Sequence, residues 1–418
     1  MVVFSSLCLL LAGMLPAGEA GPRIELPPGQ ASVTVPLQRG GSAVLAAVRI
    51  AGQDAGLFLV DTGGQRSLID AALADRLGLP ESGRAEVGHA SGRRIVAMRR
   101  IDRLDAAGLE VGPITVVAVD LSAIRTGLGI PVQGILAADV WMSAPYRLDL
   151  ARRRITVFAR AGFAPPTGAA PLPIEIQEGR VWTAVRFGQR GRGMALIDSG
   201  ASAALSMPAT ILAEEPDMAR RLLGVSPNMG INGVTVMGLY DLPAVQVLGL
   251  TRDAQRLMVQ GGRAARTADG PRGVLGAGLL RKVVLTVDPT TAAAWVEPAQ
   301  ADAVRERLAP DLAGCDDLML AAEAGDEADC AALLAAGADP RRTDRGGRTA
   351  LAWAVGQAQL PTARLLIAHG APLDSADTVG QTPLGLALAG RMDAVAATLR
   401  EAGAVNEGLY RAPAGGRP

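Results

Sequence analysis

The sequence predicts a multidomain chain: two similar, mostly-β lobes followed by an all-α repeat solenoid. Three observations predict it. First, Leu57-Phe-Leu-Val-Asp61-Thr62-Gly63-Gly64 returns as Met194-Ala-Leu-Ile-Asp198-Ser199-Gly200-Ala201, an offset of 137 residues. Gly134-Ile-Leu-Ala-Ala-Asp139 returns as Gly273-Val-Leu-Gly-Ala-Gly278, and Tyr146-Arg-Leu-Asp149 as Leu285-Thr-Val-Asp288, both offset by 139. Second, each half is made of short β-branched or alternating runs between glycine turns, the pattern of strands half-buried in a sheet. Third, a period of 33 residues runs through the C-terminal region, the length of one helical repeat unit.

Taken in order, residues 1–20 are expected to be a secretory signal peptide. Residues 1–15 carry a short apolar run, and Ala17-Gly-Glu-Ala20 supplies small residues suited to cleavage, although no Lys or Arg precedes the run. Lobe 1 spans 21–161, with strands expected at 43–50, 57–60, 114–119 and 155–158 and a short helix at 69–77. The Pro- and Gly-rich stretch 162–173 reads as a linker. Lobe 2 spans 174–298, with a helical stretch at 208–213. The solenoid occupies 311–407 in about three units, and 408–418 reads as a disordered tail.

Composition narrows the function classes. The 418 residues are 49% hydrophobic but only 3% aromatic, so the cores must be built of Ala, Val, Leu and Ile. Lys+Arg and Asp+Glu are equal at 41 each, which removes the electrostatic argument for nucleic acid. Lys282 is the sole lysine. No further segment reaches the roughly 20 apolar residues of a membrane span, so none is expected in a mature chain. With Cys8 inside the expected signal, only Cys315 and Cys330 remain. Two cysteines make no disulfide framework, though a single bridge between them stays open. His89 and His369 are the only histidines, leaving little material for a Ser-His or Cys-His mechanism or for a zinc site.

The paired Asp-Thr-Gly and Asp-Ser-Gly loops, each with its apolar-Gly segment about 75 residues downstream, resemble aspartic proteases of the retropepsin-like superfamily, over about 33–297. The resemblance implies two retropepsin-like lobes facing one another at a pseudo-twofold axis, as a fused pair. It implies that Asp61 and Asp198 are the catalytic dyad, sharing one proton because two close carboxylates cannot both ionise comfortably. One carboxylate would activate a water and its protonated partner would donate to the substrate carbonyl. No metal or organic cofactor is implied. Gly63 and Gly200 would allow the tight turn, Thr62 and Ser199 would bond across to the opposite loop, and Ser202 would fill the small hydroxyl position after the second loop. The first loop departs from the family at Gly64 and Gln65, and Ala137 replaces the downstream glycine that Gly276 keeps. Candidate flaps are the glycine turns around Gly88, His89 and Gly92 and around Gly230, Asn232 and Gly233, with Asn232-Gly233 suited to a two-residue hairpin turn. Asp149 and Asp288 read as structural turn residues. Asp139 lacks an acidic counterpart and is not expected to be catalytic.

Gly337-Ala-Asp, Gly370-Ala-Pro and Gly403-Ala-Val, together with Gly347-Arg-Thr-Ala-Leu and Gly380-Gln-Thr-Pro-Leu, resemble ankyrin repeats. That resemblance implies a protein partner. The expected function is an exported aspartic endopeptidase acting on a polypeptide substrate, with an ankyrin module that recruits a protein. Two alternatives remain: a catalytically inactive peptide-binding scaffold with an ankyrin adaptor, and an intracellular ankyrin adaptor whose apolar N-terminus is no signal.

Overall fold

The computed structural model describes residues 3–4, 22–89, 92–188, 191–230, 233–260, 271–299 and 311–408. Its N-terminal region is mostly β and its C-terminal region is helical. The expected signal peptide lies outside the described residues, apart from the two-residue strand Val3–Phe4. So does the tail beyond 408.

Each lobe is built around one parallel crossing. Gln53–Val60 pairs antiparallel with Ala43–Ile50 and parallel with Val132–Leu136, which pairs antiparallel with Leu68–Asp70. The loop from 61 to 67 therefore leaves one edge of Val132–Leu136 and returns on its other edge. Lobe 2 repeats this arrangement: Gly191–Ile197 runs parallel to Arg272–Leu275, which pairs antiparallel with Leu205–Pro208. The apolar runs Phe58, Leu59, Val60 and Ala195, Leu196, Ile197 are buried on both faces, as strands covered on both sides require.

A long hairpin follows each loop, Glu81–His89 with Gly92–Ile101 and Leu222–Gly230 with Gly233–Val247. In the second, Gly230 and Gly233 are already a cross-strand pair, so Gly233 belongs to the strand and not to the expected Asn232-Gly233 turn. Asn232 itself lies outside the described residues.

A six-stranded sheet joins the halves. At its centre Tyr146–Asp149 pairs antiparallel with Val283–Asp288, Tyr146 opposite Val287. Asp149 and Asp288 end these strands in turns. Asp149 accepts from the Arg152 N–H and the Arg154 Nε, and Asp288 from the N–H and hydroxyl of Thr290 and the hydroxyl of Thr291. Burial opposes the charge of Asp288, but these bonds outweigh it and hold its carboxyl below the usual range.

Three expectations are corrected here. The linker is not wholly irregular, because Ala170–Leu172 adds a strand to the edge of the joining sheet. The helix expected at 69–77 begins at Ala71, since Leu68–Asp70 is taken up by pairing with Val132–Leu136. Likewise Leu205–Pro208 is a strand, and the helix there is Ile211–Glu214.

The C-terminal region forms three helix pairs: Asp317–Ala324 with Glu327–Ala335, Ala350–Gly356 with Leu360–Ala368, and Pro383–Ala389 with Asp393–Glu401. The 33-residue period is visible in its contacts. Asp316, Thr349 and Thr382 each cap an inner helix by accepting a backbone N–H three residues on. Leu333, Leu366 and Leu399 are buried at the same place in each outer helix. Asp344 and Asp377 tie the turns, and Asp311 does so for the atypical first unit. His369 caps Leu360–Ala368 at its C-terminus. Cys315 and Cys330 are buried and free, so the bridge left open in the sequence is not formed. Among the described residues no helix is long and apolar enough to cross a membrane.

The helical module does not hang free. One hydrophobic cluster runs from Leu45, Leu59 and Ile135 of lobe 1 and Met237 and Met258 of lobe 2 into the helices around Met319 and Trp353. Polar contacts reinforce the seam. Arg39 pairs with Asp311 and Asp317, Lys282 with Asp326, and the Val225 N–H donates to the Gly390 carbonyl.

Candidate active site

The parallel crossing fixes each Asp. The Asp61 N–H donates to the Leu136 carbonyl at 2.9 Å, and the Asp198 N–H to the Leu275 carbonyl at 2.9 Å. The turn that follows then folds its own N–H groups back on the carboxyl. Gly63 and Gly64 donate to Asp61 Oδ1 at 2.9 and 2.7 Å, and Gly200 and Ala201 to Asp198 Oδ1 at 2.8 and 3.2 Å. An acid at the end of an apolar strand is thereby hydrogen-bonded twice by its own loop.

The two loops lock together through a reciprocal quartet. The Thr62 hydroxyl donates to the Ile197 carbonyl at 3.0 Å and accepts from the Ser199 N–H at 3.0 Å. The Ser199 hydroxyl donates to the Val60 carbonyl at 2.8 Å and accepts from the Thr62 N–H at 3.1 Å. Both loops are buried, so these groups have no easy alternative partner in water.

The glycines serve the opposite acid more than their own. A Cβ on Gly63 would fall 2.4 Å from Asp198 Cγ, and one on Gly200 would fall 2.8 Å from Asp61 Cγ. Only a hydrogen at each place lets the carboxyls meet. They do meet, in hydrogen-bonding contact. Burial, then the charge of Asp198, then that hydrogen bond push the Asp61 carboxyl well above the usual carboxylate range, against the lowering effect of the Gly64 and Gly63 N–H groups. Two carboxyls so placed cannot both ionise comfortably.

The departures of the first loop find a structural explanation. In lobe 1 the Ala138 N–H donates to the Gly64 carbonyl at 2.9 Å; in lobe 2 the Ala277 N–H donates to the Ala201 carbonyl at 2.7 Å. At this crossing lobe 1 carries Gly64 with Ala137, and lobe 2 carries Ala201 with Gly276. A Cβ on Gly64 would lie 3.3 Å from that of Ala137, and one on Gly276 would lie 2.6 Å from the Ala201 carbonyl oxygen. In lobe 1 the Gly64 position is thus crowded by the Ala137 methyl, whereas in lobe 2 backbone carbonyls, that of Ala203 at 2.2 Å nearest, leave no room for a side chain at Gly276. Gln65 stands where lobe 2 has Ser202; its side-chain amide donates to Glu178 at 3.1 Å, in a turn of lobe 2. Ser202 is 7% exposed on the other side of the axis.

The structure therefore brings together Asp61, Asp198, Thr62, Gly63, Ser199 and Gly200. Of the flap residues, Gly88, His89, Gly92, Gly230 and Gly233 lie in the ends of the two hairpins. Sequence reasoning missed Ser67. Its N–H and hydroxyl bond the Asp139 carboxylate at 2.9 and 2.6 Å, and the Ala137 N–H donates back to the Ser67 Oγ. Asp139 is thus a clasp for the first loop. The signal was its lack of an acidic counterpart, which implied a role private to lobe 1. Among the described residues no group of three or more His, Cys, Asp or Glu could hold a metal ion.

Comparison with known families agrees with both halves of this description. Residues 46–140 match the family model described as aspartyl protease, and residues 318–407 match that described as ankyrin repeats in three copies. No curated protein matches the chain. The matched protease segment holds the first loop and its downstream crossing; the likeness of the second half rests on the duplication and on its strand pairing.

Proposed function

We propose that this chain is an aspartic peptidase in which Asp61 and Asp198 act as one dyad on a polypeptide substrate. The observation that carries the reading is the contact of two buried carboxyls, each held by its own loop and approached through the glycine of the other. With one proton between them, the ionised carboxyl takes a proton from water as the water oxygen attacks the peptide carbonyl carbon. The protonated carboxyl gives its proton to the carbonyl oxygen. Collapse of the resulting diol breaks the C–N bond, and the amine leaves with a proton returned by the dyad. These roles belong to the pair and not to either residue alone. Thr62 and Ser199 hold the spacing that makes the sharing work. An extended substrate would lie between the loops and the two hairpins, bound through its main chain.

The repeats imply a second protein contact, and we propose that the module also recruits a protein. Export is proposed from the apolar segment at 1–15 and is tested by sequencing the mature N-terminus. For the chemistry, the test is hydrolysis of an unfolded polypeptide at mildly acid pH by the parent and by Asp61→Asn and Asp198→Asn. Loss of cleavage in both is expected; cleavage surviving in either sinks the dyad. A peptide-binding scaffold without hydrolysis draws on the near-complete burial of both acids, and it predicts that all three proteins bind peptide and none cleaves it.

A further inference from the structure

On the peptidase reading a substrate would run past the dyad on two sides, and the surroundings of the two sides differ. Leu59 and Leu196 are equivalent, each two residues before its Asp and so on the same face of its strand. Leu196 belongs to a satellite cluster with only Trp182 and Met194. Leu59 belongs to the cluster shared with the helical module. Ile135 is 1% exposed, whereas its counterpart Val274 is only half-buried. Gln65, half-exposed, faces the exposed turn residue Glu178, whereas its counterpart Ser202 is buried. The turn equivalent to that of Glu178 is the one at Gly41, which is buried near Trp353 and Cys315.

At the Ser202 end the helices take up the space. Ser202 and Ala203 line a cavity of about 30 Å³ whose opposite wall is Leu320, Glu323 and Gln359 of the module. That is the room of about one water molecule; a groove able to hold a ligand of several residues needs hundreds of Å³. Three hydrogen bonds latch the module here, although a larger cavity of about 560 Å³ adjoins, sharing Gly278, Arg281, Leu320 and Ala324. The Gly41 N–H donates to Asp311 at 2.8 Å, the Arg281 guanidinium donates to the Ser42 carbonyl at 3.0 Å, and the Arg256 guanidinium donates to the Ala358 carbonyl at 3.0 Å.

We propose that the first two ankyrin units wall off the Ser202 end of the cleft, so that a polypeptide can extend past the dyad only through the Gln65–Glu178 end. This rests on the peptidase reading and narrows it. Cleavage falls within a few residues of one chain terminus, because the walled side accepts only a short end. The inner face of the module is thus a specificity-determining surface, and its leading partner is the protease half of the same chain.

Two readouts test this in the full-length protein. The first is thiol labelling with a maleimide of Gln65→Cys and Ser202→Cys, each measured against the parent, whose Cys315 and Cys330 are buried. The Ser202→Cys thiol is expected to react at least about tenfold more slowly, since labelling there requires local opening of the docked helices. Adding Leu320→Ala or Glu323→Ala should narrow that difference. The second is mass mapping of products from an unfolded polypeptide, with the parent and with the same two module variants. Products trimmed from one terminus are expected from the parent, with longer terminal fragments appearing when the wall is cut back. Internal cleavage by the parent, with long segments on both sides, overturns the inference, as do equal labelling rates at the two cysteines. If nothing is hydrolysed while labelling stays strongly unequal, the peptidase reading and end-directed cleavage both fall, and the wall itself stands.

Discussion

Replacing Thr62 by Val keeps the shape of the side chain and removes its hydroxyl. Two bonds vanish, one donated to the Ile197 carbonyl and one accepted from the Ser199 N–H, both at 3.0 Å and both buried. Neither partner can turn to water without separating the loops. Each buried group left unpaired costs about 1–3 kcal/mol, so the variant should lose about 2–6 kcal/mol of stability. Against a typical total of about 5–15 kcal/mol, that is a large share. The assay is urea unfolding of parent and variant, followed by peptide hydrolysis well below the variant's midpoint. The midpoint should fall clearly, and residual activity should fall further than the folded fraction does, because the loops also set the spacing of the carboxyls. A stability change under about 0.5 kcal/mol, within the range of ordinary surface substitutions, would refute the reasoning.

Other outcomes follow from the same geometry. Gly64→Ala puts a methyl 3.0 Å from Asp61 Oδ2 and 3.3 Å from the Ala137 methyl, so it should destabilise by about 1–3 kcal/mol as overpacking does. Combined with Ala137→Gly it reproduces the lobe 2 arrangement, and the double variant should be less damaged than the two single losses predict. Additivity in that thermal-unfolding cycle would show that crowding by the Ala137 methyl is not what requires glycine at 64. Glu323 is held up to about 7 by burial, partly offset by Arg281 and Arg348. Its folded value lies above the unfolded one, so its contribution to stability is present below about pH 4.5 and is lost as pH rises through about 7. Glu323→Gln should flatten that decline; parallel curves of melting midpoint against pH for the two proteins would contradict it. Ending the chain before Asp311 would bare Leu45, Leu59 and Met258, so the truncated protein should aggregate or bind a hydrophobic dye, in contrast to a module that only tethers a partner. A monomeric, fully active truncation would show the shared cluster to be dispensable.

Much of this was legible in the chain because the crucial parts are local and repeated. The strands at Ala43–Ile50 and Ile114–Val119 have the bounds that their β-branched patterns predict. The cross-loop roles of Thr62 and Ser199 were implied by the family resemblance that a motif three residues long carries. What could not be read depends on distant partners. Leu68–Asp70 looks like the start of a helix until Val132–Leu136, some 65 residues later, claims it for a sheet. The glycine at 64 looks like a defect until Ala137 is seen against it. The docking of the module rests on pairs such as Arg39 with Asp311, 272 residues apart, and no local pattern in either segment announces them. Charge balance over the whole chain hides it further, because the basic Arg39, Arg281 and Lys282 and the acidic Asp311, Asp317 and Asp326 cancel in the total.

The shared proton is the centre of the account, and it can be counted without any substrate. Infrared difference spectra near neutral pH report protonated carboxyl groups directly. The parent should show a protonated-carboxyl band that both Asp61→Asn and Asp198→Asn shift or remove, because in each variant the remaining acid is still buried but has lost the carboxyl that shared its proton. An unchanged protonated-carboxyl band in all three proteins would mean that Asp61 and Asp198 share no proton, and the dyad would have to be abandoned.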